Sequence, residues 1–329
     1  LLRRILKSLK MIGFIFFLYR ICKNKKPDII HAHAMFFCGI PALLIGRILK
    51  LPTFYEVRSI WVLPKDGKHK SYFHRLVAKV LLKLEIFTMK SANKVFVVND
   101  NLKQTLVSFG VPEEHMTVVK NAVNTSLIVE KIKKARNENS PKKVTFGYIG
   151  SITSYEGIPF MIKSIEELSK IRDDFRFVIY GSVRDPREKQ KILDTIEECS
   201  MSKYVFCKGS VPPSEIHKVY NEIDIVVNPR LKNTITDTVT PLKPLEAMAY
   251  GKVFVGSDVG GIKELLKDSD QGIFFKADSV DDLVKTLDSV GNMSQKELNL
   301  LGHKSREFVV REKSWIHNAK IYKKEYLNF

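Results

Sequence analysis

Residues 228–266 read NPRLKNTITDTVTPLKPLEAMAYGKVFVGSDVGGIKELL. Arg230 and Lys243 bring positive charge to this stretch. Asp237 and Glu246 are carboxylates able to hold sugar hydroxyls. The apolar run 223–227 reads as a strand ending at Asn228-Pro229, followed by a polar loop that carries Arg230, Asp237 and the threonines. Pro241 and Pro244 open a helix over 245–250, and Gly251 stops it. A strand over 253–256 follows, and Gly260-Gly261 leads into a helix over 262–266. Two strand-to-helix junctions thus aim free backbone N–H groups at one spot, which favours an anion, above all a phosphate. Phosphate binding beside cations and hydroxyl-binding carboxylates suits a nucleotide-sugar, a diphosphate with a polyol at each end.

The elements that must position these groups alternate strand and helix. In the first half, residues 27–34, 52–58, 93–99 and 116–120 read as strands, with helices over 37–49, 71–89 and 101–109 between them. That order predicts a parallel, doubly wound sheet. Ligands of such sheets sit beyond the carboxyl ends of the strands, where His31, His33, Glu56, Arg58 and Asn99 fall. A histidine at such an edge is as often a satisfied polar residue as a functional one. Residues 129–143 are polar and lysine-rich and read as a linker. Beyond them, strands over 144–150, 175–181, 204–209, 223–228, 253–256 and 272–275 alternate with helices, a complete second Rossmann-like unit. Gly147-x-x-Gly150 with Gly157 is a weak phosphate-loop signal. The nicotinamide fingerprint, G-x-G-x-x-G with an acid about twenty residues on, is absent.

The length of 329 residues allows two domains, and 44% hydrophobic residues support ordinary cores. Cys22, Cys38, Cys199 and Cys207 show no CxxC pairing, which points to a reducing compartment and no zinc site. The net charge of +18 admits nucleic acid, an anionic membrane or anionic substrates as partners. No RNP-like, helix-turn-helix or zinc-finger pattern accompanies it, so nucleic acid is set aside. Residues 1–22 have helical apolar spacing with Arg3, Arg4, Lys7 and Lys10 between. The apolar run 11–19 falls short of the ~20 residues that span a bilayer. This helix either packs on the sheet with its basic face outward or lies on an anionic membrane, and one helix can do both. Asp268-x-Asp270 sits in a KDSDQG turn, where Asp is common for backbone reasons, so no metal is assigned to it.

PLKPLEAMAYGK and SDVGGIKEL resemble the donor-binding motif of retaining glycosyltransferases of family four, which have the GT-B fold. VTPLKPLEAMA is nearly identical to the motif of one subgroup, found in polysaccharide assembly. PDIIHAHA, TFYEVRSIW and the segment NKVFVVNDNLKQTLVSFGVPEEHMTVVKNAVN are similar to the acceptor domain of the same enzymes, with Ala122 and Asn124 replacing the usual Gly and Asp. The closing REKSWIHNAKIYKKEYLNF, with Trp315, resembles the family's last helix. The implied architecture is α/β, with two Rossmann-like domains whose parallel sheets face each other across a cleft. Residues 1–128 would form the acceptor-side domain, 129–143 the linker, 144–310 the nucleotide-sugar domain, and 311–329 a helix crossing back to the first. Family members begin with a strand, a Gly-rich loop and a helix that have no counterpart here. The first domain is therefore read as incomplete, with an exposed sheet edge.

The family's donor motif is Glu, seven residues, Glu. Glu246 fits the second and would accept hydrogen bonds from the nucleotide ribose. The first acid is Asp237, one residue earlier than the family spacing, as in the subgroup. The diphosphate turn, which often carries Arg and Lys in the family, has Ser151 and Glu156, which leaves that charge to Arg230 and Lys243. Where many members carry a histidine near the reacting sugar, this chain has Arg58, a cation placed for developing negative charge. The resemblance thus implies Asp237, Arg58 and His33 as catalytic. It implies Glu246, Arg230, Lys243, Thr240, Pro241, Leu242, Gly150, Ser151 and Gly181 as donor-binding, with no metal and no cofactor beyond the nucleoside-diphosphate sugar itself. The implied activity is retaining transfer to a surface-polysaccharide or lipid-linked acceptor by a cytoplasmic protein with peripheral contact to anionic membrane. A nucleotide-sugar epimerase and a truncated, non-catalytic nucleotide-binding protein remain as alternatives.

Overall fold

The computed structural model describes residues 2–33, 35–60, 72–125, 128, 143–266 and 271–329, with side chains from Ile12 on, His74 excepted. The chain divides into two compact units, Leu1–Lys120 with Ala319–Phe329, and Asn121–Asn318. The linker stretch 129–142, Trp61 and the Asp268-x-Asp270 turn lie outside the described residues.

The first unit runs α1 (Leu2–Lys25), β1 (Ile30–His33), α2 (Phe36–Leu49), β2 (Thr53–Val57), α3 (Tyr72–Ser91), β3 (Lys94–Val97), α4 (Asp100–Ser108) and β4 (Met116–Val118). Its strands pair in parallel in the order β1-β2-β3-β4, and parallel pairing requires the long crossovers that the helices supply. Glycines set how closely α2 packs. A Cβ on Gly39 would stand 2.3 Å from Thr88 and 2.8 Å from Tyr55, and one on Gly46 2.1 Å from the Thr53 hydroxyl. Asn99 starts α4 by accepting the Leu102 N–H at 2.7 Å, a side-chain N-cap.

Helix α1 docks on this core through Ile15, Leu18, Tyr19 and Cys22, the i, i+3, i+4, i+7 face of a helix. Among its described side chains, Phe14, Phe16, Phe17 and Ile21 are exposed. Helix α3 buries Glu85, Thr88 and Met89, yet exposes Phe73, Leu76, Val80, Leu84 and Phe87, a second apolar stripe at helical spacing. Among the described residues, no helix is long and apolar enough to cross a membrane.

The second unit runs β5 (Val144–Ile149), α5 (Ile158–Ser169), β6 (Phe175–Tyr180), α6 (Pro186–Glu198), β7 (Val205–Gly209), α7 (Ile216–Glu222), β8 (Ile225–Asn228), α8 (Thr234–Thr238), α9 (Lys243–Ala249), β9 (Val253–Ser257), α10 (Gly260–Leu266), β10 (Gly272–Phe275), α11 (Val280–Gly291), α12 (Gln295–Glu312) and α13 (Trp315–Tyr326). From Ala319 on, α13 groups with the first unit. The sheet order is β10-β9-β8-β5-β6-β7, all parallel. Chain direction across the sheet reverses between β5 and β8, the switch point of a Rossmann sheet. Phe146, Ile162, Phe177 and Leu287 belong to one apolar layer. Val178, Leu245, Phe254 and Ile262 belong to the other. Strand residues of opposite parity feed the two layers, as a doubly covered sheet requires.

The stretch read as a polar loop after β8 contains a helical turn, α8. The Asn233 side chain accepts the Ile235 and Thr236 N–H groups, and the Thr236 hydroxyl accepts the Asn233 N–H. This reciprocal capping box satisfies the donors a helix start leaves open and outweighs the poor helix propensity of three threonines.

Candidate functional site

Helix α9 opens at Lys243-Pro244, and Pro is suited to a helix's first turn because the missing N–H would have no helical partner there. One turn holds Lys243 and Glu246 together, with Lys243 Nζ 2.6 Å from Glu246 Oε2. The same oxygen accepts the Tyr220 hydroxyl at 3.3 Å. Tyr220 is fully buried and stacks on Tyr250, their ring centroids 4.3 Å apart. Burial, reinforced by the Glu246 charge, raises the Tyr220 pKa well above the ordinary range, so the group stays a donor. These side chains border a cleft of about 550 Å³, lined by Leu242, Lys243, Glu246 and Tyr250 together with Val211, Pro213, Ile216, Ala122, Val123, Asn124, Ile128 and Trp315. Its size lies within the ~300–1,000 Å³ of small-molecule pockets. A mostly apolar lining with one carboxylate, one ammonium and the Asn124 amide suits a ligand with a flat ring, hydroxyls and negative charge.

The other donor candidates sit elsewhere in this unit. Arg230 is 8% exposed. Its Nη2 and Nε lie 2.8 and 3.3 Å from the two Glu156 oxygens, and Nη1 donates to the Val239 carbonyl at 3.3 Å. Glu156 follows β5 and Arg230 follows β8, so this pair ties the two loops that flank the switch point. Gly150 and Gly181 belong to adjoining strand ends. A Cβ on Gly181 would stand 1.9 Å from the Gly150 carbonyl, so close backbone approach requires glycine there. The exposed Ser151 accepts the Tyr148 hydroxyl at its carbonyl, 3.1 Å away. Thr240 is buried and bound by Asn121, whose amide reaches both its carbonyl and its hydroxyl at 2.9 Å; the neighbouring Pro241 is buried as well.

Asp237 corrects the expectation of two open helix starts. Its Oδ1 accepts the Gly260 N–H at 2.8 Å, so part of the α10 start is occupied from within the chain. The seam is tight: a Cβ on Gly260 would meet the Asp237 carbonyl at 2.6 Å, and one on Gly261 the Val239 carbonyl at 2.3 Å.

In the first unit, His33 and Arg58 converge on one carboxylate. Glu56, 2% exposed on β2, binds the Arg58 Nε and Nη2 through Oε1, each at 2.8 Å. Its Oε2 accepts the Tyr322 hydroxyl at 2.7 Å and lies 3.4 Å from His33 Nδ1 and 3.6 Å from His31 Nε2. Nδ1 of His31 bonds the Tyr326 hydroxyl at 2.6 Å. Burial lowers the His31 pKa to about 4, helped by His33 and Arg58 and opposed by Glu56, so the ring is neutral at neutral pH. Burial, followed by the bond to Glu56, raises the Tyr322 hydroxyl pKa.

Of the residues that the sequence assigned to the donor, Leu242, Lys243 and Glu246 lie on the cleft; Val211, Pro213, Ile216 and Tyr250 line it too, with Tyr220 buried behind Tyr250, and none of these was named as a donor residue from the sequence. The Val-Pro-Pro turn just past β7 was a usable signal, because ligands gather beyond carboxyl strand ends. Nothing local marks the two tyrosines.

Two Rossmann-like units with all-parallel sheets define the fold class as α/β of the GT-B type. The chain belongs to the glycosyl transferases group 1 family, whose model matches residues 129–307; residues 2–127 match the Glycosyltransferase Family 4 model. An uncharacterized glycosyltransferase of Methanocaldococcus jannaschii is 26% identical over 277 residues, 80% of this chain and 66% of the relative. The chain therefore spans just under two thirds of that relative. The N,N'-diacetylbacillosaminyl-diphospho-undecaprenol alpha-1,3-N-acetylgalactosaminyltransferase of Campylobacter jejuni is 26% identical over 296 residues, 87% of this chain and 73% of that one. The crystal structure of Anabaena HepE in complex with UDP superposes with a TM-score of 0.77 at 13% identity, covering 96% of this chain and 82% of that one, a likeness of fold.

Proposed function

We propose that this protein transfers a sugar, with retention of configuration, from a nucleoside-diphosphate sugar to a hydroxyl of a surface-glycan or lipid-linked acceptor. The observation that carries the reading is the apolar cleft bordered by the Lys243–Glu246 pair, in a chain of the glycosyl transferases group 1 family. The apolar wall takes the flat base and excludes water from it. Glu246 accepts the ribose hydroxyls. Lys243, whose side chain is 34% exposed, brings a cation to the cleft, and a cation beside a phosphate oxygen stabilises the charge that grows on the departing diphosphate. Asp237, Arg58 and His33 remain the proposed catalytic side chains. For Asp237 this means a second duty beside its bond to Gly260. Neither a metal nor a further cofactor enters this donor reading.

A lipid-linked acceptor is supported by the exposed apolar stripe of α3, with Arg75, Lys79, Lys83 and Lys90 exposed beside it, and by the exposed phenylalanines of α1. Apolar side chains interleaved with cations suit the headgroup region of an anionic bilayer. All four cysteines are free, in keeping with action at the cytoplasmic face.

The test is binding and slow hydrolysis across a panel of nucleoside-diphosphate sugars, starting with uridine diphosphate derivatives, with Glu246→Ala as control. Binding of one donor that the variant loses supports the site. Equal binding by both proteins removes the cleft as the donor site. The anomeric signal of the transferred sugar in a proton spectrum reads retention directly.

A further inference from the structure

We infer that His31, His33 and Glu56 form a binding site for a divalent transition-metal cation, of the class that takes two imidazoles and one carboxylate with an open coordination position. This inference concerns the first unit alone and does not rest on the donor cleft, although it gives His33 and Arg58, proposed above as catalytic, a part in holding a cation.

The geometry follows from strand register. His31 and His33 are two apart on β1, so both side chains leave the same face of the sheet. β2 pairs in parallel with β1 and sets Glu56 opposite His33, which puts the carboxylate on that face too. One ligand atom from each residue falls within 4.8 Å of the others. His33 Nδ1 and His31 Nε2 lie 3.4 and 3.6 Å from Glu56 Oε2. Tetrahedral bonds of ~2.0–2.1 Å set neighbouring ligand atoms about 3.3–3.4 Å apart, so the His33 edge of the polyhedron already has the right length and the His31 edge is only slightly longer.

The surroundings fit as well. His31 Nε2 is buried without a hydrogen-bond partner, while Nδ1 of the same ring is held by Tyr326. With the proton on Nδ1, that N–H donates to Tyr326 and the Nε2 lone pair turns towards Glu56. A ligating imidazole anchored through its other nitrogen is the usual second layer of a metal site. Tyr322 anchors the carboxylate in the same way. The rings of Phe96 and Phe54 lie 5.2 and 6.4 Å from that of His31, so the inner wall is apolar. His33 has a half-exposed side chain, which leaves an entry path and room for a solvent ligand. Imidazole with one carboxylate favours zinc, cobalt, nickel or iron over magnesium or calcium, which prefer all-oxygen shells. Arg58 on the other carboxylate oxygen opposes the cation, so its charge sets the affinity.

The experiment uses the full chain, stripped with a chelator, freed of any affinity tag and titrated with CoCl2 and then ZnCl2. The expected result is one equivalent of cobalt with ligand-field absorption in the visible, displaced by zinc. His33→Ala, a change at a half-exposed position that circular dichroism checks for folding, should weaken binding at least about tenfold. Arg58→Gln should tighten it. The rival site is the surface pair His303 and Glu307, 3.6 Å apart, and His303→Ala should leave binding unchanged. X-ray absorption at the zinc edge of the wild-type protein should show two imidazoles and light oxygen or nitrogen neighbours. Absence of binding, binding unaffected by His33→Ala, or a spectrum without imidazole overturns the inference.

Discussion

Arg230 and Glu156 meet in a two-point ion pair, 74 residues apart in sequence and both less than a tenth exposed. The guanidinium that the sequence offers to a diphosphate is thereby matched by a carboxylate of the same unit. Glu156 stands in the very turn where the family resemblance leads one to look for a cation. An acid in the turn after β5 and a buried arginine after β8 together keep the local charge near zero.

Such a pair is costly to break from one side. Glu156→Gln leaves a buried guanidinium without its counter-charge and should cost about 3–5 kcal/mol of stability, read by urea denaturation. Replacing both, as Glu156→Leu with Arg230→Met, should recover most of that loss, because well-packed apolar groups substitute for buried pairs at little cost. A double variant as unstable as the single one would show that the pair's hydrogen bonds, the one to Val239 included, matter more than its charge balance.

Glu246 has a structural and a binding duty that one substitution cannot separate. Glu246→Ala removes the acceptor of the buried Tyr220 hydroxyl, and leaving a buried donor unpaired costs ~1–3 kcal/mol. Glu246→Gln keeps an acceptor there and loses only the charge. The glutamine variant should therefore melt close to the wild type, yet bind the donor at least about tenfold more weakly, since hydrogen bonds to a charged acceptor contribute ~1.5–3 kcal/mol. Calorimetric titration reads the second effect and thermal melting the first.

The periodicity of the chain made most of the fold legible, because parallel strands between helices leave apolar runs of fixed length. It also revealed which residues end strands, and hence Glu246 and Lys243 after β8, His33 at the end of β1 and Arg58 just past β2. What stayed hidden depends on pairing across long separations. No local pattern says that Glu156 faces Arg230, or that β2 lies in register with β1 so that Glu56 joins two histidines. The helical turn α8 was legible in principle, since Asn233 followed three residues later by Thr236 is a capping-box spacing. The exposed stripe of α3 was legible too: apolar residues recur on both of its faces, one more than a core helix needs.

Asp237 offers a way to tell positioning from chemistry. Asp237→Asn still presents an oxygen to the Gly260 N–H, so stability should change by less than about 1 kcal/mol. If its charge acts in the reaction, turnover should fall by about a hundredfold or more. Gly261→Ala makes the opposite probe. Its methyl would press on the Val239 and Thr236 carbonyls, at 2.3 and 2.6 Å, and backbone cannot step aside as a flexible side chain can. Overpacking of this kind costs ~1–3 kcal/mol, so the alanine variant should lose stability and donor affinity together. Full turnover in Asp237→Asn would assign the residue to positioning alone.

Membrane contact is tested by flotation with vesicles. The protein should float with vesicles containing anionic lipid and remain largely behind with neutral ones, and added salt should weaken the association, because exposed charges are screened within ~10 Å at 0.1 M. Phe16 and Phe17 on α1 are each about 60% exposed, and Leu76 and Val80 on α3 about half, so replacing them with serine should leave the core intact. Each side chain that inserts contributes up to ~1.5–3 kcal/mol when fully buried, enough for one pair of changes to lower flotation several-fold. If the α3 pair lowers it and the α1 pair does not, the stripe of α3 is the contact face. Equal flotation on anionic and neutral vesicles would remove the electrostatic part of the reading, and with it the reason to connect the charge of +18 to a membrane.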